Sequence, residues 1–345
     1  LGRITVGPDS AGSMPGPACY GRGGTLPTVT DADLVLDWID PARFAGGQIT
    51  LAPAQAVAAC ERAVATPLGM SPQQAALGIT EIVTETMASA ARVHAVENGK
   101  DTAGRTMIAF GGAAPLHAAR MAQKLGMDRV LIPVGAGVGS AYGFLGAPIA
   151  YEVVRTRLVS LDDFDGDLVN ELFGAMRAEA EAVVRLGAPA GSLVETRTAF
   201  MRYRGQGHEV AVPLPDGPYD PVDASPFRAA FEMTYLGLYG RIIPGLHVEA
   251  LTWTLSLVEQ KALPERIAEP PTVLATAPAT TRQMIDPGSG ALVEAAIHER
   301  PALAPGVTII GPAVIVEDET STMVPEQFQA TLNAVGHIVI ERMSR

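Results

Sequence analysis

The sequence has few cysteines and few basic residues, and each shortage excludes a class of protein. Two of its 345 residues are cysteine, Cys19 and Cys60, so neither a disulfide framework nor a cysteine-based zinc site can be built. This favours a reducing, cytoplasmic location. No run of about 18 uncharged apolar residues occurs, so we expect no membrane span. Acidic residues outnumber basic ones 37 to 25, so we expect no nucleic-acid partner.

Signatures of metal and serine-nucleophile sites are also absent from the sequence. Its six histidines include no pair at metal-ligand spacing on one helix, and neither HExxH nor GxSxG occurs. We therefore expect no metal held wholly by this chain. Hydrophobic residues make up 48% of the sequence, which is enough for large cores and excludes disorder of the whole chain.

Glycine and proline are concentrated near the amino terminus, where residues 7–30 cannot form a helix. Met14, Cys19 and Tyr20 lie among these glycines, and flexible linkers rarely carry apolar anchors. We therefore predict an ordered loop rather than a linker. Residues 1–6 resemble a strand already under way, so we expect a processed, truncated or split piece of a longer protein.

Two regions differ in the order of their predicted elements. In residues 1–150, helices at 53–66 and 71–98 precede a strand, a glycine-rich turn, a helix and a second strand, an order typical of an α/β lobe. Residues 151–345 favour an α+β domain with mostly antiparallel strands. Its predicted helices cover 163–186 and 226–238, and its predicted strands cover 151–158, 194–203, 208–214, 246–260, 291–299, 308–316, 328–333 and 336–342. Residues 262–288 are predicted to be a connector.

The most informative motif of the first region is Phe110-Gly-Gly-Ala-Ala-Pro-Leu-His117. A buried strand ends there, the chain turns on two glycines, and a helix begins at Pro115. Glycines let a ligand approach the backbone, and free N–H groups at a helix N-terminus favour a phosphate or a polar base edge. The alternative is a plain tight turn in which His117 is a satisfied first-turn residue.

Other polar or glycine-rich segments have simpler interpretations. Residues 135–140, GAGVGS, fail the dinucleotide fingerprint and favour close helix packing. Asp31 and Asp33 lie near a predicted helix start, where Thr30, Asp31 or Asp33 could be the N-cap, so capping is the default role of both.

Residues 202–209, RYRGQGHE, join two predicted strands through two glycines. A hairpin connection explains the glycines but not the density of polar side chains around them. Arg204, Gln206 and His208 therefore predict a polar network at a domain or subunit interface.

Five segments, in this order, resemble those of one family. They are VGPDSAGSMPGPACYGRGG at 6–24, PTVTDADLVL at 27–36, FGGAAPLHA at 110–118, YRGQGHE at 203–209 and PGVTIIGPAVI at 305–315. Together they resemble the hydantoinase A/5-oxoprolinase family, which includes N-methylhydantoinase A and subunits of acetone and acetophenone carboxylases. The resemblance covers the whole chain but only the carboxyl-terminal part of the family's pattern.

The resemblance implies a fold and a set of partners. The fold would be the second lobe of an actin/hexokinase/Hsp70-like ATPase followed by a β-rich C-terminal domain. ATP and Mg (or Mn) would be bound mainly through a missing lobe, because the family's acidic-Gly-Gly-Thr phosphate loop is absent here. The family uses ATP to phosphorylate a poorly reactive carbonyl oxygen. We therefore expect an upstream ATPase-lobe subunit, a hydantoinase B-like subunit and a small-molecule substrate, and no activity from this chain alone.

The resemblance also assigns residues. Those expected to lie against adenosine are Gly111, Gly112, Ala113 and Ala114. The catalytic residue is unknown, with Asp31 and His117 as candidates and capping as an equal alternative for Asp31. The residues expected in a cleft or interface network are Ser10, Tyr20, Arg204, Gln206 and His208.

Two departures from the family pattern bear on nucleotide binding. Ala114 and Asp37 stand where the family usually has glycine, and a methyl group at 114 could crowd a ribose or oppose a positive φ. We therefore keep three interpretations: part of an ATP-dependent hydrolase of cyclic amides, part of an acetone- or acetophenone-type carboxylase, or a degenerate structural subunit without nucleotide.

Overall fold

The middle of the chain forms one compact unit and its two ends together form another. The computed structural model describes residues 3–274 and 277–343. Leu1–Leu145 and Arg266–Arg345 make up the first unit, and Gly146–Glu265 makes up the second. The predicted division at residue 150 differs from this grouping, because residues 266–345 join the first unit. The reason is strand pairing: residues 338–342 hydrogen-bond to the strand at 129–132.

The helices and strands are numbered in chain order. The helices are α1 (Val29–Val35), α2 (Pro53–Cys60), α3 (Thr66–Leu68), α4 (Pro72–Glu97), α5 (Ala114–Leu125), α6 (Gly139–Gly146), α7 (Gly166–Gly187) and α8 (Ser225–Tyr239). The strands are β1 (Thr106–Ile108), β2 (Arg129–Ile132), β3 (Ala150–Ser160), β4 (Leu193–Tyr203), β5 (Val210–Pro213), β6 (Val248–Glu259), β7 (Val273–Leu274), β8 (Thr280–Ile285), β9 (Leu292–Glu299), β10 (Val307–Ile310), β11 (Ala313–Val316), β12 (Ser321–Val324), β13 (Phe328–Leu332) and β14 (Ile338–Arg342). Among the described residues, no helix is both long and apolar enough to cross a bilayer.

Side-chain caps set where the first-unit helices begin. Ser71 caps α4 through a capping box with Gln74, and Pro72 takes the first helical position. α1 begins earlier than predicted, because Thr28 rather than a residue at 30–33 is its N-cap. Thr28 Oγ1 accepts from the Asp31 N–H at 3.3 Å, and Asp31 Oδ2 accepts from the Thr28 N–H at 2.8 Å.

Two sheets form the framework of the first unit. The six-stranded sheet has the order β1-β2-β14-β13-β10-β7, with β1 and β2 parallel and β14 antiparallel to β2. The four-stranded sheet has the order β12-β11-β9-β8. The chain passes from one sheet to the other at Gly311, so the predicted single strand 308–316 is wrong and is two strands, β10 and β11.

Some expectations at the edges of this unit are also wrong. Residues 3–6 form no strand, although Ile4 and Val6 pack against the apolar core; Leu1 and Gly2 lie outside the described residues. The predicted connector 262–288 contains β7 and β8. The loop at 7–28 is ordered around a short 3₁₀ turn, Ala18–Tyr20, in which the Cys19 side chain is fully buried.

The second unit is the predicted α+β arrangement. β3, β6, β4 and β5 form an antiparallel sheet in that order, and α7 and α8 pack against it. Its core is aromatic: Phe173, Phe227 and Trp253 are fully buried, and the Phe173 and Trp253 rings meet edge to face at 5.7 Å.

Asp37 occupies a backbone conformation that favours glycine. Its φ is +60°, in the left-handed region, where a Cβ atom is disfavoured by about 1–2 kcal/mol, less for Asp than for most residues. We expect Asp37→Gly to raise the free energy of unfolding by about 0.5–1 kcal/mol, because the relief of strain exceeds the entropy that glycine adds to the unfolded chain. Urea denaturation measures this change. Asp37→Ala keeps the Cβ and is the matched control; an equal gain in that variant contradicts the prediction.

Candidate functional site

A cavity of about 660 Å³ opens in the first unit beside the amino terminus of α5. Its size lies within the ~300–1,000 Å³ range of small-molecule sites. Three parts of the chain enclose it, and they supply Tyr20, Thr30, Asp33, Ile39, Asp40, Arg43, Phe44, Ala45, Gly46 and Gln48, then Gly112, Ala113 and Leu116, and then Val316, Glu317, Asp318, Glu319, Thr320 and Ser321.

The turn after β1 brings the α5 backbone to this cavity. Gly111 has a φ of +116° and donates its N–H to the Ala136 carbonyl at 2.7 Å. Thr320 Oγ1 donates to the Gly112 carbonyl at 2.8 Å, which fixes the turn against the loop between β11 and β12. The N-cap residue, Ala113, has no side chain that could accept from the first N–H groups of α5. The first N–H groups of α5 are therefore not capped by the side chain of the N-cap residue.

The four residues predicted to lie against adenosine differ in their relation to the cavity, and their contact with adenosine stays a prediction. Gly112 and Ala113 line the cavity, whereas Gly111 and Ala114 do not. Ala114 is the first residue of α5 and has no positive φ, so its methyl group meets no backbone strain there. Of the two positions at which the resemblance leads us to expect glycine, 37 and 114, only Asp37 has a positive φ.

Asp33 is the residue that sequence reasoning assigned to capping and that the structure places in the cavity wall. Its carboxylate is almost fully buried, and Oδ2 lies 3.3 Å from Nε2 of His117 on α5. Oδ1 has no hydrogen-bond partner among the described residues. The Trp38 ring meets the His117 ring edge-on at 5.8 Å. The sequence did carry a signal for Asp33. Asp31 completes the capping box with Thr28, so the second aspartate of α1 is not needed for capping.

The Asp31 carboxylate accepts hydrogen bonds from nearby backbone N–H groups and does not line the cavity. Its Oδ1 accepts from the Cys19 N–H at 2.7 Å, and its Oδ2 accepts from Ala18 and from the backbone and side chain of Thr28. The residue is fully buried and does not line the cavity. This geometry favours the capping alternative over a catalytic role.

The predicted cleft or interface residues lie in both units. Tyr20 lines the cavity, with its ring 5.8 Å from that of Phe44, while Ser10 is exposed and caps the Gly12 N–H. The other three lie on the β4–β5 connection of the second unit, where Arg204 Nη2 donates to Ser160 Oγ at 3.1 Å, Gln206 Nε2 donates to the Tyr235 hydroxyl at 3.0 Å, and the His208 side chain is exposed. A common network of the five stays a prediction.

The cavity wall is strongly acidic. The carboxylates that line it belong to Asp33, Asp40, Glu317, Asp318 and Glu319. Arg43 is the sole cation among the described lining residues, and Glu299 pairs with it through both guanidinium nitrogens. Such a wall repels phosphate and suits hydrogen-bond donors that carry no negative charge. No group of three His, Cys, Asp or Glu side chains that could hold a metal occurs within residues 3–274 and 277–343.

The Asp33–His117 pair makes stability depend on pH. Burial alone would lower the pKa of His117, but the charge of Asp33 and the hydrogen bond to it outweigh burial, so the pKa is raised. The stabilisation is therefore fully present below the unfolded value of about 6.5 and is lost as the pH rises through the folded pKa.

We expect His117→Gln to lower the free energy of unfolding more at about pH 6 than at about pH 8.5. Urea denaturation followed by Trp38 fluorescence, in a Trp253→Phe background that silences the second unit, measures this difference. A loss that is equal at both pH values contradicts the assignment.

Comparisons with known proteins identify relatives of the chain. The hydantoinase/oxoprolinase profile matches residues 1–153, and the profile of the hydantoinase/oxoprolinase C-terminal domain matches 180–341. Caprolactamase subunit alpha from Pseudomonas jessenii is 32% identical over 340 residues, which is 96% of this chain and 49% of the relative. The gamma subunit of acetophenone carboxylase from Aromatoleum aromaticum is 49% identical over 117 residues, which is 34% of this chain and 16% of the relative.

A solved structure shares the fold. The crystal structure of the ATP-dependent caprolactamase from Pseudomonas jessenii superposes with a TM-score of 0.78 at 30% identity, over 98% of this chain and 50% of that one. The chain thus spans about half the length of the curated relative it matches, 49%.

Proposed function

Because the chain belongs to the hydantoinase/oxoprolinase family, we propose that it forms the carboxyl-terminal half of an ATP-dependent enzyme that hydrolyses cyclic amides. In this proposal the chain binds the adenosine part of ATP. The observation that carries it is the cavity at the start of α5, where Gly112 and Ala113 present backbone to a space of ligand size.

The residues of the cavity fit a nucleoside better than a triphosphate. Ile39, Phe44 and Leu116 offer apolar surface to a base, and the surrounding carboxylates accept hydrogen bonds from amino and hydroxyl groups. The same carboxylates repel phosphate. We therefore assign the triphosphate and its Mg or Mn to an upstream ATPase-lobe subunit or segment.

When bound, ATP supplies the phosphoryl group that activates an amide carbonyl oxygen. This chain would orient the nucleoside so that its phosphates point away from the acidic wall and toward the other half. A hydantoinase B-like subunit would complete hydrolysis of the small-molecule substrate. We place the complex in the cytoplasm, where ATP is available and Cys19 and Cys60 stay reduced.

Native mass spectrometry of the protein purified gently from its own cells tests this proposal. We expect a complex with an upstream-lobe polypeptide, a hydantoinase B-like subunit and retained ADP or ATP. ATP hydrolysis should require the complex. Robust hydrolysis by the 345-residue chain alone, or a bare chain without nucleotide, would contradict the proposal.

A ketone carboxylase is the second candidate function. The segment that is 49% identical to the acetophenone carboxylase gamma subunit favours it. The adenosine site would be the same, and the partner subunits would differ in their reaction. Deletion of the gene in the source cells separates the two candidates. A growth defect on ketones favours the carboxylase, and a growth defect on hydantoins or lactams favours the hydrolase of cyclic amides.

A further inference from the structure

The Asp33 carboxylate is buried, and one of its two oxygens accepts no hydrogen bond from the described residues. Its residue is 1% exposed, Oδ2 is held by His117 at 3.3 Å, and Oδ1 has no hydrogen-bond partner among the described residues. A buried acceptor without a partner is costly and calls for an explanation. Asp33 also lines the cavity, so a molecule bound there is the candidate source of the missing donor.

We propose that Asp33 selects the ligand of this cavity by accepting a hydrogen bond from an uncharged N–H or O–H donor of the bound nucleoside. This inference rests on the proposed function, and it adds the residue that decides which nucleoside is bound. His117 is the positioning residue: it holds Oδ2, so that Oδ1 is left for the ligand.

The charges around the cavity indicate the kind of donor. Asp40, Asp318 and Glu319 surround the space, and Arg43 is engaged by Glu299, so an anionic group finds no free cation among the described lining residues. A carboxylate gains most from a donor that brings no negative charge with it. An adenosine offers two kinds of such donor: the 6-amino group of the base, and the 2′- and 3′-hydroxyls of the ribose.

Binding of nucleotide analogues identifies the donor. Equilibrium binding to the native complex is measured for ATP, purine riboside triphosphate, 2′-deoxy-ATP and 3′-deoxy-ATP, each of the last three lacking one donor. We expect one analogue to bind about 10- to 100-fold more weakly than ATP, the range for a hydrogen bond to a charged group. The analogue that loses affinity tells base recognition from ribose recognition.

Variants of Asp33 test whether this residue is the acceptor. Asp33→Ala should weaken ATP binding by about the same 10- to 100-fold and should no longer distinguish ATP from the sensitive analogue. Asp33→Asn keeps a neutral acceptor and should fall between the parent and Asp33→Ala. His117→Gln should reduce the discrimination while ATP still binds.

Asp286 provides the matched control. Its carboxylate is also buried, at 4% exposure, and its Oδ1 also lacks a partner among the described residues, but it does not line this cavity. Asp286→Ala should leave ATP affinity and analogue discrimination unchanged, and an equal loss in both variants would overturn the inference.

The outcomes separate this inference from the proposed function. Equal affinity of the parent for all four nucleotides overturns the role of Asp33 and leaves ATP binding intact. Absence of any nucleotide binding by the parent complex overturns both. If Asp33→Ala does not fold, as judged by circular dichroism, Asp33→Asn and the analogue series on the parent protein decide.

Discussion

Gly311→Ala is expected to lower the free energy of unfolding of the first unit by about 3 kcal/mol or more, a large fraction of the roughly 5–15 kcal/mol that is usual for a native protein. A Cβ atom at Gly311 would lie 2.0 Å from the Pro325 carbonyl oxygen and 2.6 Å from that of Val324. Both contacts are with backbone, so no side chain can rotate away to make room. The clash falls where the chain crosses between the two sheets, between β10 and β11.

Urea denaturation followed by circular dichroism measures this loss. Gly143→Ala is the matched control in the same unit, because Gly143 lies in α6 and a Cβ there meets nothing within 4 Å. That substitution should be neutral or stabilising, since alanine favours helix more than glycine by about 1 kcal/mol. A urea midpoint for Gly311→Ala equal to that of the parent would contradict the prediction, because the backbone at Val324 and Pro325 would then have moved to make room for the methyl group at little cost.

Arg300→Leu is expected to cost about 3–5 kcal/mol, the range for removing one partner of a buried ion pair. Arg300 Nη1 donates to Glu317 Oε2 at 2.7 Å and Nη2 donates to the Gly336 carbonyl at 2.7 Å. Both charged side chains are largely buried, so the substitution leaves the buried Glu317 carboxylate without its cationic partner. Since Glu317 begins the acidic loop that lines the cavity, ATP affinity should fall as well.

The double variant Arg300→Leu with Glu317→Leu provides the control, because replacing both partners by apolar side chains is often close to neutral. Burial raises the pKa of Glu317 against the opposing effect of Arg300, and loss of Arg300 removes that opposition. The single variant should therefore be less destabilised at about pH 5, where Glu317 can take up a proton, than at about pH 8. A double variant as unstable as the single one would show that the Gly336 contact, and not the ion pair, is decisive.

Local signals predicted most of the elements. The cap Ser71 and the residue Pro72 set the start of α4, and the glycine turn after 106–108 correctly preceded α5. The single strand predicted over 308–316 failed, because the apolar pattern continues through Gly311 while the chain changes sheets. Short strands such as β8 and β12 were missed, since their pairing partners lie elsewhere in the sequence.

The candidate site was only partly predictable for the same reason. Gly112 and Ala113 stood out through their turn chemistry, which is local. The partnership of Asp33 with His117 spans 84 positions, and the pairing of Arg43 with Glu299 spans 256. No periodicity or spacing rule encodes such contacts, because they depend on how α1, α5 and the carboxyl-terminal strands are brought together.

The position of β14 sets an order of events during translation. Its residues, 338–342, lie between β2 and β13 in the six-stranded sheet, although they are synthesised long after β2. The second unit is contiguous, so its four strands can all leave the ribosome while β14 is still unmade. Until then β2 has an open edge on the nascent chain, which is the kind of surface that chaperones shield. The six-stranded sheet of the unit that holds the cavity therefore cannot be complete until residues 338–342 have been synthesised.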